Sequence, residues 1–217
     1  MPLVASVEST ICACRSLGYV PRKPRLEVPN GFFHVAALGV DRSMIFRDPD
    51  DRLSFISLLN TAIVRSEWKC QSYCLMGTHF HLIVRTPKPT LSRGVQWLCG
   101  VYGQRFNKRH GRRGHLFGGR FMSIRITSER HLLAAHRYVA LNPVRAGLCS
   151  NALDWRWNSC RSVLGRDPIF SFLDVTGLLA LFDYRPAVAR ESFRRLIGHA
   201  QATDIADQYK LARTDGV

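Results

Sequence analysis

The sequence lacks any run of about eighteen uninterrupted apolar residues, so nothing in it reads as a membrane span. Its N-terminal stretch carries Glu8 inside a mildly apolar start and no clean apolar block, which argues against a signal peptide and for a cytoplasmic protein. Acidic residues are scarce. There are 16 Asp and Glu against 31 Lys and Arg, a net charge of +15 and a pI near 10.2. An excess of that size points to a polyanionic partner, nucleic acid before an anionic membrane surface. Internal repeats and low-complexity segments are absent. The seven cysteines, at 12, 14, 70, 74, 99, 149 and 160, are odd in number and scattered, with no second Cys/His pair at zinc-finger spacing. That excludes a disulfide framework and a zinc finger, and leaves free thiols in a reducing compartment.

What is present divides into an arm, a body and a tail. Residues 1–30 contain Pro21-Arg-Lys-Pro-Arg25 and read as an extended arm. In the body, residues 31–149, Phe32–Leu38 reads as a first strand. Asp48 then caps a helix with Pro49 at its first position and Leu53, Ile56, Leu58, Leu59, Ala62 and Ile63 as its buried stripe. Trp68–Met76 reads as a second strand, and Gly77-Thr78 as the turn into a third. Thr90 caps a second helix whose apolar face is Leu91, Val95, Leu98, Tyr102 and Phe106. A fourth strand falls near 120–126. Ser128 caps a third helix with Leu132, Ala135 and Val139 as its stripe. Residues 150–217 form a helical C-terminal extension that opens on Trp155-Arg-Trp157, two rings suited to docking on the body.

The third strand carries His79-Phe80-His81. Strand side chains alternate, so the two imidazoles share one face while Phe80, Leu82 and Val84 share the other. Such a pair suits a divalent-metal site, and it equally suits two ordinary strand histidines. Further on, residues 104–125 hold seven Lys/Arg, two His and no acid, interleaved with Phe106, Phe117, Phe121 and four glycines. A solvated face interleaves acids; basic residues with aromatics and glycine turns suit phosphates and unstacked bases. Arg105, Lys108, Arg109, Arg112, Arg113, Arg120 and Arg125 are the candidate contacts, joined by Arg145 downstream.

The β-α-β-β-α-β order between 32 and 126 predicts an α+β, ferredoxin-like (split β-α-β) antiparallel sheet with helices on one face and the histidine face open to a ligand. His79-Phe-His-Leu-Ile-Val84, taken with Tyr138-Val-Ala-Leu-Asn-Pro-Val-Arg-Ala-Gly-Leu148, resembles the single-tyrosine HUH transposases, and among them the REP-associated tyrosine transposase (IS200-like) group. Ile45–Arg52, Gly114–Phe121 and Trp157-Asn-Ser159 extend the resemblance over roughly residues 31–197. The resemblance implies a single-stranded DNA endonuclease and strand transferase acting at hairpin or palindromic repeats, as a monomer or a homodimer. It implies that His79 and His81 hold Mg²⁺ or Mn²⁺. A related branch takes a third ligand from a Gln four residues after the tyrosine, a position occupied here by Asn142. Tyr138 is then the nucleophile that forms a 5′-phosphotyrosine. A non-catalytic hairpin-binding protein on the same fold is the alternative. The chain departs from the family pattern at Gly77-Thr78, where Pro-Asn is usual, and at Leu38-Gly-Val40, where Arg-Gly-Asn is usual.

Overall fold

The computed structural model describes residues 27–198. Most of the expected arm, with Cys12 and Cys14, lies outside the described residues. Four strands, β1 (Gly31–Leu38), β2 (Lys69–Leu75), β3 (His79–Thr86) and β4 (Met122–Ile126), form one antiparallel sheet in the order β2-β3-β1-β4. Helices α1 (Pro49–Ser66), α2 (Leu91–Arg109) and α3 (Glu129–Arg145) complete the body, and α4 (Cys160–Val163), α5 (Val175–Leu179) and α6 (Pro186–Gly198) follow. This is the α+β, ferredoxin-like arrangement that the sequence predicts, with the histidine strand β3 in the interior of the sheet.

Alternation decides which face each strand residue joins. Phe33, Val35 and Ala37 of β1 and Phe80, Leu82 and Val84 of β3 point into a large core beneath α1 and α2. Both helices present the expected stripes, with one exception. Leu53 is 50 % exposed, and Phe55 takes the buried position. Two residues are about 200° of helix, so Leu53 and Phe55 cannot share a face. Asp48 caps α1 as predicted, accepting from the Asp51 N–H at 3.0 Å. Thr90 stands at the N-cap of α2 as predicted, but its side chain makes no capping bond. Its hydroxyl instead accepts from the Trp68 indole N–H at 2.9 Å, and the Glu27 carboxylate takes the free Ser92 N–H at 2.7 Å. Trp68 also explains Gly94, where a Cβ would lie 2.3 Å from the indole ring.

The opposite sheet face differs from the expectation of an open surface. Cys74, Met76, Ile83 and Ile126 make half of it apolar, and α3 covers that half with Leu132, Ala135 and Val139. Burying a matched stripe outweighs leaving it wet. The described part of the extension, residues 150–198, packs on the body. The chain from 155 to 174 runs along the outer edge of β2, where Leu75 N–H donates to Trp157 O, Ser159 N–H to Tyr73 O and Asp174 N–H to Cys70 O. Phe172, Leu178 and Phe193 enter the main core. The segment covers a strand edge that would otherwise template aggregation.

Candidate active site at the α3–sheet junction

In the β1–β3 register Leu38 faces His79 and Ala36 faces His81. The small Ala36 side chain leaves room beside His81. Helix α3 runs over this region, and its packed stripe fixes its rotation. Tyr138 therefore emerges at the stripe's edge, with Asn142 one turn on. Pro143 does not break the alignment, because helical geometry persists through it to Arg145.

The structure brings all four predicted residues together. The Tyr138 ring stands edge-on to His81, with centroids 5.5 Å apart and planes at 90°. His79 and His81 are 4.9 Å apart, also edge to face. Asn142 Oδ1 lies 3.4 Å from His79 Nε2. That is long for a hydrogen bond, and close to the roughly 3 Å expected between two neighbouring ligands each about 2.1 Å from a shared octahedral ion. His79 Nδ1 is held by the Thr78 hydroxyl at 3.1 Å, so the unusual turn residue supplies an orienting contact. Arg145, exposed, carries its guanidinium 4.9 Å from the Tyr138 ring centre.

Burial keeps both imidazoles neutral. It lowers the pKa of His79, against the Asn142 contact, and holds His81 well below the usual histidine range, with help from the neighbouring His34. Neutral imidazole is the metal-binding form. His81 Nε2 is buried and hydrogen-bonds to nothing among the described residues. Two neutral imidazoles, one with such a nitrogen, and an amide oxygen are donors that a divalent cation can use.

Two histidines here carry no assignment from sequence. His34 of β1 is fully buried, its Nε2 2.9 Å from His81 Nδ1 and its ring edge-on to Tyr138 at 5.6 Å. His136, two residues before Tyr138, clamps α3 to β2 through Nδ1 and the Ser72 hydroxyl at 2.7 Å. Burial pushes the His136 pKa down to about 3. Its folded-state value lies below the unfolded value, so it stabilises the fold above pH 6.5, and this stabilisation is lost as pH falls toward 3. Between pH 6.5 and 5 urea unfolding should show this loss approaching about 1.4 kcal/mol per pH unit from His136 alone. His136→Gln should flatten the dependence by that amount; an unaltered slope would contradict the assignment.

The basic block separates into two groups. Arg105, Lys108, Arg113, Arg120 and Arg125 are exposed. Arg109 is committed elsewhere. It forms ion pairs with Asp48, Asp50 and buried Asp51 at the start of α1. It is the main reason the Asp48 carboxyl is held at about 2. Arg112 braces its loop by donating to Asn107 Oδ1 and His115 O. Asp48, Asp51 and His110 also bring three donor atoms within 4.8 Å of one another. The Arg109 guanidinium already supplies the positive charge there, so this cluster is an ion-pair knot and not a cation site. Between α2 and the 114–121 loop lies a cleft of about 560 Å³, lined in part by Gln96, Gln104, Phe117 and Arg120.

Among the described residues no helix is long and apolar enough to cross a membrane. No curated protein matches this chain. A solved structure, that of a REP-associated tyrosine transposase bound to a REP hairpin, shares the fold. It is 16 % identical, with a TM-score of 0.51 over 71 % of this chain and 98 % of that one. The model for the family described as "Transposase IS200 like" matches residues 27–142. That span takes in the four strands, both core helices, the histidine pair, Tyr138 and Asn142, and it is more than half the sequence: the chain belongs to the IS200-like transposase family.

Proposed function

We propose that this transposase cuts and rejoins single-stranded DNA at hairpin repeats through a covalent bond to Tyr138. The observation that carries the reading is the seating of the Tyr138 ring against His81 while Asn142, one turn away, meets His79. In the proposed reaction the Tyr138 oxygen attacks a backbone phosphorus. The P–O3′ bond breaks, the phenolic proton passes to solvent, and the departing 3′ oxygen takes up a proton. One phosphodiester is exchanged for another, so rejoining needs no nucleotide cofactor. Tyrosine is a weak nucleophile near neutral pH, since its reference pKa is about 10. His79, His81 and Asn142 would hold Mg²⁺ or Mn²⁺, which when bound stabilises charge on the phosphate oxygens. Arg145, over the tyrosine ring, holds that ring in place and adds positive charge beside it.

Hairpin DNA as substrate is supported by the fold neighbour, which is bound to a REP hairpin. The α2 cleft, lined by Arg120, has room for an unstacked base. The test is incubation of the full chain with a labelled hairpin carrying single-stranded flanks, in Mg²⁺ or Mn²⁺. The expected result is a denaturant-stable protein–DNA adduct mapping to Tyr138. Binding without any adduct would favour the non-catalytic hairpin-binder.

The exposed and committed arginines also predict different salt behaviour. Arg113→Gln and Arg120→Gln should each flatten the dependence of log K on log[salt] by about 0.7 for a single strand. Arg109→Gln should leave that slope alone and lower the thermal midpoint, because it unties the α1–α2 knot. Equal slopes in all three variants would put the DNA path elsewhere.

A further inference from the structure

His34 is fully buried in an apolar strand, yet its ring nitrogen is spent on a second buried histidine. The two rings lie nearly in one plane, 20° apart, with centroids at 5.1 Å and a 2.9 Å N···N contact. That is an end-to-end hydrogen bond rather than a face-to-face stack. One proton lies between the two nitrogens, and which ring owns it decides what His81 presents on its other side.

If His34 donates, the His81 proton must sit on Nε2. An N–H would then be buried facing the site, making no hydrogen bond of good geometry with only the Asn142 amide near it, and it would occupy the position a cation needs. If His81 donates from Nδ1, its Nε2 is a bare lone pair. Under-satisfied acceptors are tolerated better than orphaned donors. A lone pair is also what a cation requires, and ligating histidines commonly donate their second N–H to a fixed acceptor.

We infer that His34 is a positioning residue: its Nε2 accepts the Nδ1 proton of His81 and so fixes the tautomer in which His81 turns Nε2 toward a divalent cation. The inference rests on the metal site proposed above. His34 also stands edge-on to Tyr138 at 5.6 Å, so one side chain braces both the ligand and the nucleophile's ring. No carboxylate is needed behind His81, because the neutral His34 imidazole, its own proton on Nδ1, serves as acceptor through Nε2.

Two measurements on the full chain test this. Long-range ¹H–¹⁵N NMR of the Mg²⁺-loaded wild type should show His81 protonated at Nδ1 and His34 unprotonated at Nε2; the reverse assignment overturns the inference. Mn²⁺ titration followed by EPR should show about 10- to 100-fold weaker binding in His34→Phe, which keeps a ring and removes the acceptor. His34→Gln, whose amide oxygen can accept, should restore binding to within a few-fold of wild type, and metal-free hairpin binding should be unchanged in both. Wild-type Mn²⁺ affinity in a folded His34→Phe, or equal losses in both variants, overturns the positioning role while leaving the metal site standing. A wild type that binds no Mn²⁺ removes the site and the inference together. Should His34→Phe fail to fold, the NMR tautomer decides alone.

Discussion

Tyr138→Phe should abolish the covalent protein–DNA adduct and lower hairpin cleavage by at least about 10³-fold, equivalent to about 4 kcal/mol of transition-state stabilisation, with hairpin affinity unchanged. The substitution removes one oxygen and keeps the aromatic ring. The edge-on contacts with His81 and His34 and the Arg145 guanidinium above the ring depend on the aromatic body, not on the hydroxyl. Folding and DNA binding should therefore survive, and the loss can be read as chemistry. The other tyrosines of the body do not compete. Tyr73 and Tyr102 are buried, burial pushes both phenols well above the usual range, and the Tyr102 hydroxyl donates to Ile45 O. Tyr184 is 89 % exposed but stands in the C-terminal extension. Residual cleavage without an adduct would mean that water replaces the phenol. An adduct that persists in Tyr138→Phe would place the nucleophile elsewhere.

The sheet was legible in the sequence because alternation and helical spacing are local. Phe80, Leu82 and Val84 opposite His79 and His81, and Leu132, Ala135 and Val139 beneath Tyr138, follow from counting residues. The pairing of the histidines with Tyr138 was legible only through the resemblance, since nothing local connects His81 to a helix nearly sixty residues later. His34 was not legible. A histidine inside Phe32-Phe-His-Val-Ala-Ala-Leu38 reads as packing until the β1–β3 register sets it diagonally from His81. The commitments of Arg109, and of Glu27 to the start of α2, are long-range as well. Charge counting assigns every arginine in a basic block the same role, whereas three aspartates at one helix start withdraw Arg109 from it. The roofing of the histidine face and the covered edge of β2 arise the same way, from apolar surfaces whose partners lie far along the chain.

His79→Ala and His81→Ala should each lower metal-dependent cleavage by about 10²-fold or more, because a Lewis acid at phosphate contributes several kcal/mol to the transition state. They should differ in how they respond to excess Mn²⁺. His79 is the more accessible ligand, and it rests on Thr78 and Asn142. Its loss leaves the His81 nitrogen and the Asn142 oxygen in place, so raised Mn²⁺ should recover much of the activity by mass action. His81 is 4 % exposed and touches both His34 and Tyr138. Removing it opens a cavity beside Tyr138 and takes away the His81 contact of buried His34 Nε2, so added Mn²⁺ should recover little and the thermal midpoint should fall. The readouts are cleavage rate against Mn²⁺ concentration and a thermal melt for each variant. Equal rescue of both would mean that His81 acts as a ligand only and that its contact with Tyr138 carries no weight in seating the nucleophile. No dependence on Mn²⁺ or Mg²⁺ in the wild type would remove the metal from the mechanism and leave the histidine pair to act on phosphate directly.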